Sequence, residues 1–207
     1  MSSFLKAAAG GVAFLIALGS LSGSAFAFQL FQPRPMWAPP PGYGQYNQPL
    51  FARQQPRYRV NPAFVRTLVS FPTVEKPGTI IVDTGHKYLY LVLGNGTAVR
   101  YGIGTARTGF EWSGVHHITN KREWPDWTPP AEMIARQPGI PHHMAGGTDN
   151  PLGARALYIG ATLYRIHGTN EPWTIGGDVS SGCIRMTNDD VIDLYGRAQI
   201  GAKVIVL

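Results

Sequence analysis

Two runs of β-forming residues joined by a tight turn constrain the fold of this chain more than any other feature. Residues 87–93 form the first run, Gly94-Asn95-Gly96 the turn, and residues 97–103 the second run. Asn-Gly between two such runs is a strong signal for an antiparallel hairpin, because the turn needs positive φ angles. We therefore expect a domain built on an antiparallel sheet.

Other segments extend this β pattern. Residues 79–83, 156–159, 163–166 and 203–207 are short apolar runs rich in β-forming residues. Two short helices are predicted, over residues 131–136 and from Thr187 or Asn188 onwards. Residues 104–153 show little periodicity apart from the first of these helices, which is typical of a lid or a substrate loop.

The N-terminal third predicts export followed by a linker. Lys6, an apolar run over residues 7–21 and Ala25-Phe26-Ala27 form a signal peptide over residues 1–27. An uncleaved anchor is the alternative, but a spanning helix needs about 20 apolar residues. Residues 28–77 are rich in Pro, Gln and Gly and predict a flexible linker. The folded domain is expected over residues 78–207, with no membrane span after cleavage, in the periplasm or cell wall.

Composition agrees with a folded exported domain of basic charge. Apolar residues make up 44% of the chain and charged residues 14%, unlike a disordered chain. The formal net charge is +6, and removal of Lys6 with the signal leaves the protein basic. A basic surface favours anionic partners. Export makes nucleic acid the least expected of these.

Cys183 is the only cysteine in the sequence. An internal disulfide is therefore impossible, and the thiol is free, intermolecular or reactive. Cysteine catalysis needs a thiolate, a base, a group that orients the base and donors for an oxyanion. The segment from His167 to Met186 offers all four, because Ser180-Ser181-Gly182-Cys183 places the thiol in a tight turn before a helix. An inert buried cysteine is the alternative.

The same segment resembles the catalytic domain of L,D-transpeptidases, the YkuD-type family of cell-wall enzymes. That family has a His-Gly-Thr-Asn block, a glycine-containing loop, and Ser-x-Gly-Cys followed by an aliphatic residue, Arg, and Met or Leu. Here these are residues 167–170, Ile175-Gly176 and residues 180–186. The resemblance extends over residues 78–207 and implies a mainly β, sandwich-like fold with one or two short helices.

The resemblance also implies roles for individual residues. Cys183 is expected as the nucleophile and His167 as the proton acceptor and donor, with the Gly168 carbonyl orienting the imidazole. The N–H groups of Gly182 and Cys183 are candidates for the oxyanion hole. Arg185 is expected to hold a substrate carboxylate or to order the loop.

Ser181 departs from many members of the family, which carry histidine at this position. We group Ser181 with the candidate residues for the oxyanion hole and for substrate binding. Any influence of a second histidine on the thiol is lost. The pairs His116-His117 and His142-His143 lack the spacing of a metal site, so no metal and no cofactor are expected.

By resemblance, the predicted reaction uses peptidoglycan stem peptides. Cys183 forms a thioester on a murein tetrapeptide stem, and an amine then resolves it. The amine belongs to another stem, giving a 3→3 cross-link, or to an outer-membrane protein, giving attachment to the wall. The alternatives are an L,D-carboxypeptidase that uses water, and a non-catalytic murein-binding module.

Overall fold

The computed structural model describes residues 60–207. The predicted signal peptide, residues 1–27, and most of the predicted linker lie outside the described residues. The mainly β prediction is confirmed: residues 60–207 contain eleven strands and two α-helices.

The bounds of these elements are as follows. The strands are β1 (Thr67–Ser70), β2 (Ile80–Asp83), β3 (Tyr88–Gly94), β4 (Thr97–Gly102), β5 (Thr105–Ala106), β6 (Gly114–Glu123), β7 (Arg155–Ile159), β8 (Arg165–His167), β9 (Asp178–Ser180), β10 (Ile184–Arg185) and β11 (Lys203–Val206). The α-helices are α1 (Ala131–Arg136) and α2 (Asn188–Arg197), and short 3₁₀ turns occupy Pro62–Phe64 and Pro172–Thr174.

Nine strands form one sheet in the order β1-β4-β3-β2-β11-β6-β7-β8-β10, and β5 pairs with β9 separately. The predicted hairpin is β3 and β4, which pair antiparallel with Tyr90 opposite Arg100. Parallel pairs occur between β11 and β2, between β10 and β8, and between β5 and β9. Apolar side chains from every strand of this sheet except β1, together with Val191 and Leu194 of α2, form one hydrophobic core.

Strand β6 corrects the expectation that residues 104–153 contain no strand. It pairs with β11 through its first half and with β7 through its second half, and so links the two parts of the sheet. Only Ile118 of its ten residues is buried. Its side chains therefore lack the apolar alternation by which a strand is recognised, although its backbone is paired in both halves.

Strand β1 corrects the predicted boundary between linker and domain at residue 78. Residues 67–70 pair antiparallel with β4, so the folded unit begins within the segment assigned to the linker. Phe64, which precedes this strand, packs closely on Gly102. A Cβ added to Gly102 would lie 2.3 Å from the Cβ of Phe64. The strand is mostly exposed at the edge of the sheet, which explains its weak apolar signal.

The end of the chain largely follows the prediction. Helix α2 begins after Thr187, whose hydroxyl accepts a hydrogen bond from the Asp190 N–H at 3.2 Å. Asp189 and Asp190 occupy its first turn, as favoured by the helix dipole. His167 is the last residue of β8 rather than the residue after it. Within residues 60–207, no helix has the length and apolarity needed to cross a membrane.

Candidate active site

The turn that carries Cys183 lies between β9 and β10 and is closed by one side chain. The Ser180 hydroxyl donates to the Cys183 carbonyl at 2.5 Å and accepts from the Gly182 N–H at 3.1 Å. Ser180 is buried, so these bonds are shielded from water. Two backbone groups of the turn are thereby satisfied within the turn itself.

Gly182 is required at its position by both conformation and space. Its φ is +112°, a region that residues with a side chain rarely adopt. A Cβ there would lie 2.2 Å from Cε1 of Tyr164, whose ring covers the turn. The glycine of the predicted motif therefore allows an aromatic ring to pack directly on the backbone next to Cys183.

The register between β8 and β10 brings the candidate catalytic residues together. Ile184 pairs with Ile166 and Arg185 with His167 in a parallel ladder. Both isoleucines belong to the core, so their neighbours in sequence point to the opposite face. Four residues of that face line one cavity of about 320 Å³: Arg165, His167, Cys183 and Arg185. Ser181 lines the same cavity.

His167 is buried and held in one tautomer. Its Nδ1 lies 2.5 Å from the Gly168 carbonyl, which only accepts hydrogen bonds, so Nδ1 carries the proton and Nε2 is left as the basic nitrogen. Burial, with the positive charge of Arg185 as the next cause, lowers the pKa of His167 to about 3. The imidazole is therefore neutral near pH 7, as a general base must be.

Cys183 is partly exposed to the cavity and protonated at rest. Burial raises the pKa of the Cys183 thiol, while the positive charges of Arg165 and Arg185 lower it in part. Its Sγ lies 3.9 Å from the Leu163 carbonyl. The raised pKa of the thiol and the lowered pKa of the imidazole both favour the uncharged forms of the two side chains. A thiol in this state needs a base to remove its proton before it can act as a nucleophile.

The two arginines of this face have different partners. Arg185 donates through Nη1 to Glu171 at 2.8 Å, which ties β10 to the loop after β8. This contact corresponds to the loop-ordering role expected for Arg185. Arg165 makes no ion pair with any residue in the range 60–207, and its buried Nε has no hydrogen-bond partner there. Its guanidinium lies 5.3 Å from the Tyr158 ring centre.

The backbone donors differ from the predicted oxyanion hole. The Gly182 N–H is already bonded to Ser180, so it is not available to a substrate in this arrangement. The Cys183 N–H has no acceptor among residues 60–207. Of the two predicted backbone donors, only that of Cys183 is free.

The opposite side of the cavity is formed by the segment predicted as a lid or substrate loop. Phe110, Trp127, Met133 and Arg136 line it. Phe110 lies between two guanidinium groups, those of Arg107 at 4.8 Å and Arg136 at 4.9 Å from the ring centre. Arg107 also donates to the Ser181 hydroxyl at 3.2 Å, so this loop contacts the turn that carries Cys183.

The remaining histidines lie apart from this cavity. His116 packs edge-on against Trp112, with ring centres 5.3 Å apart. His143 lies 3.8 Å from Asp126, and both side chains are largely exposed. In the part of the chain that the structure describes, no group of three or more His, Cys, Asp or Glu residues has the geometry of a metal site.

Sequence reasoning missed three residues that shape this site. One strand residue separates Arg165 from His167. Because side chains alternate between the two faces of a strand, the sequence could have placed Arg165 on the same face as His167. Ser180 was included in the motif but without its role in closing the turn. Trp112 donates through Nε1 to the Gly182 carbonyl at 2.6 Å across a sequence separation of 70 residues, for which the sequence offers no signal.

The comparisons with known proteins identify the family of this chain. A model of the L,D-transpeptidase catalytic domain family, YkuD, matches residues 77–206. The probable L,D-transpeptidase YbiS of Escherichia coli K12 is 36% identical over 141 residues, covering 64% of this chain and 45% of YbiS. The chain thus spans about half the length of this curated relative.

A solved structure supports the fold. The C442S mutant of the Enterococcus faecium L,D-transpeptidase is 20% identical, with a TM-score of 0.51, covering 64% of this chain and 50% of that chain. A Brucella melitensis protein described as a probable carnitine operon oxidoreductase is 47% identical, covers 72% of this chain and 96% of that chain, and has a TM-score of 0.49. With residues 77–206 matched by the family model, this chain belongs to the L,D-transpeptidase catalytic domain family.

Proposed function

We propose that this protein is a peptidoglycan L,D-transpeptidase that works through a thioester on Cys183. The observation that supports this most is the pairing of β8 with β10. It places His167, fixed in a single tautomer, on the same cavity face as the only thiol of the chain. Family membership supplies the reaction class, and the arrangement of the two side chains is consistent with it.

The chemistry follows from the protonation states. Cys183 attacks the carbonyl between the third residue and the terminal D-alanine of a murein tetrapeptide stem, while Nε2 of His167 accepts the thiol proton. The tetrahedral intermediate collapses to a thioester, and His167 returns the proton to the departing D-alanine amine. An acceptor amine then attacks the thioester, loses its proton to His167 and forms the new amide. The thiol is regenerated and no cofactor is consumed.

The charge of the cavity fits an anionic substrate. A tetrapeptide stem ends in a carboxylate, which needs a cationic partner when it leaves water. Arg165 lines the cavity and has no ion-pair partner among residues 60–207, whereas Arg185 is bound to Glu171. We assign the binding of the stem carboxylate to Arg165 and the ordering of the loop to Arg185.

The acceptor and the location belong to the same proposal. An amine of a second stem gives a 3→3 cross-link, and an amine on an outer-membrane protein attaches that protein to the wall. Both acceptors require export to the periplasm through the signal predicted over residues 1–27. Water as the acceptor turns the same site into an L,D-carboxypeptidase.

Incubation of the purified protein with murein tetrapeptide tests the proposal by intact mass spectrometry and product analysis. We expect an acyl adduct on Cys183, loss of D-alanine and formation of cross-linked dimers. The Cys183→Ala variant should bind the stem but form neither adduct nor product, because the nucleophile is absent.

The other outcomes identify the alternatives. Trimmed tripeptide without dimer indicates the carboxypeptidase. Binding of murein without adduct or turnover by the wild-type protein contradicts the proposal and indicates a wall-binding module.

A further inference from the structure

Among residues 60–207, the peptide unit between Gly182 and Cys183 is hydrogen-bonded at its carbonyl but not at its N–H. Within the two residues, the Gly182 N–H and the Cys183 carbonyl are both bonded to the Ser180 hydroxyl. The Gly182 carbonyl accepts the Trp112 indole N–H at 2.6 Å. The remaining group, the Cys183 N–H, has no acceptor in residues 60–207. Three of four backbone groups are therefore fixed, and the fourth is left free beside the thiol.

Planarity couples the fixed carbonyl to the free N–H. The Gly182 carbonyl and the Cys183 N–H belong to the same peptide unit, and in a trans peptide they point in opposite directions. Trp112 and Gly182 line a separate cavity of about 240 Å³, whereas Cys183 lines the catalytic cavity. A carbonyl held towards Trp112 therefore directs the Cys183 N–H away from Trp112.

Trp112 is itself held rigidly. Its ring stacks on Tyr164 with centres 4.5 Å apart and planes 10° apart, and Tyr164 in turn covers Gly182. His116 packs edge-on against its ring. Trp112 also packs against the hydrophobic core. The indole N–H is thus presented to Gly182 by a fixed aromatic cluster and not by a mobile side chain.

The peptide unit after Gly182 needs a contact that fixes its orientation, because glycine also permits the opposite orientation. Gly182 has no Cβ, so rotation of the peptide unit that follows it meets less steric resistance than at other residues. A rotated unit would direct a carbonyl oxygen where the Cys183 N–H now points. The oxyanion that forms on thiol attack would then meet a carbonyl dipole instead of a donor.

We propose that Trp112 is a positioning residue that holds the Gly182–Cys183 peptide with its N–H directed at the oxyanion. The proposal rests on the acyl-transfer function proposed above. It assigns Trp112 no contact with the substrate. Its effect is on the transition state, because the oxyanion exists only there and not in the bound stem.

The Trp112→Phe variant tests this assignment, because phenylalanine keeps a ring against Tyr164 and removes the N–H. We expect kcat for stem acylation to fall on the order of 10-fold to 100-fold, below the about 10²–10³-fold seen when an oxyanion donor is deleted outright. KM should change little. Alkylation of Cys183 by iodoacetamide should keep its rate, since displacement at a saturated carbon forms no oxyanion.

Two further proteins act as controls. Trp173→Phe makes the same substitution at an exposed residue that does not line the catalytic cavity, and should keep the wild-type kcat. Replacement of Trp112 by benzothienylalanine keeps the bicyclic shape and lacks the N–H. It should reproduce the loss even if the phenylalanine variant folds poorly.

The outcomes separate the two proposals. Wild-type protein without acylation contradicts the proposed function. Wild-type acylation with an unchanged kcat in both Trp112 variants overturns the positioning role. A proportional fall in acylation and in iodoacetamide alkylation also overturns it, because Trp112 would then support the thiol or the packing in general.

Discussion

The two sides of the catalytic cavity are built in different ways. The strand wall consists of residues whose backbone lies in the β8–β10 ladder or directly beside it: Arg165, His167, Cys183 and Arg185. Its backbone is also bonded on the far side, where Gly104 and Arg185 exchange two hydrogen bonds. The loop wall consists of residues outside the strands: Phe110, Trp127, Met133 and Arg136.

The loop wall is held by weaker contacts. Helix α1, which supplies Met133 and Arg136, has six residues, none buried, and no side-chain cap at Pro130. Its link to Phe110 is the contact between a guanidinium and a ring. Acyl transfer tolerates little error in the position of nucleophile and base, whereas a substrate-facing wall can adjust to its ligand. We therefore expect changes at His167 or in the turn that carries Cys183 to lower kcat, and changes in the loop wall to raise KM.

The largest expected effect is that of His167→Gln. Without a base the thiol has to lose its proton unaided, so kcat should fall by about 10²–10⁴-fold. Stopped-flow or steady-state assays of D-alanine release measure this fall in kcat. A fall below tenfold would contradict the role of His167 as base.

The pH dependence sharpens the same test. Because the pKa of His167 is lowered to about 3, kcat/KM should show no acid limb near 6.5, the ordinary value for histidine. The folded state binds fewer protons than the unfolded state between about pH 3 and 6.5. The free energy of unfolding should therefore decrease as pH falls through this window, and less so in His167→Gln. Denaturant titrations at several pH values check the difference.

Gly182→Ala is expected to have the next largest effect. The new Cβ would meet the Tyr164 ring at 2.2 Å and sit at a φ of +112°, so the turn has to move. We expect kcat to fall about 100-fold and stability by about 2–4 kcal/mol. Gly201→Ala is the matched control, because Gly201 has a φ of +88° with nothing within 4 Å. It should lose about 1–2 kcal/mol and no activity.

Substitution of the arginines tests the division of labour within the strand wall. Arg165→Gln should raise KM about tenfold for stems with a free terminal carboxylate and leave KM for amidated stems unchanged. Arg185→Gln should not alter this preference, because its guanidinium is bound to Glu171. Equal loss of preference in both variants would show that the carboxylate contacts both arginines.

The same contrast explains how much the sequence could predict. The β3–β4 hairpin and α2 follow from local signals, a Gly-Asn-Gly turn and a threonine cap. Strand β6 could not be recognised, because its pairing partners β11 and β7 lie elsewhere in the chain and its side chains face solvent.

The candidate site divides along similar lines. Cys183, His167 and Gly168 were predicted from a motif contained in one short segment. The Gly182 N–H, a predicted oxyanion donor, is bonded to the Ser180 hydroxyl in this arrangement, and that bond depends on the closed form of the turn. Trp112 depends on a contact between two distant loops. Local motifs therefore predict the candidate reacting groups, whereas the contacts that surround them arise from tertiary packing.

Phe110→Ala is expected to have the smallest effect and bears directly on the loop wall. Removal of the ring abolishes its contacts with Arg107 and Arg136, each worth about 0.5–1 kcal/mol at an exposed site. Because no core contact is lost, the melting temperature should shift by only a few degrees. We expect KM for the stem to rise a few-fold with kcat unchanged, in steady-state assays run beside Arg165→Gln. A fall in kcat with constant KM would mean that Phe110 helps to orient the reacting groups through Arg107 and Ser181. The prediction that changes in the loop wall affect KM and not kcat would then be wrong.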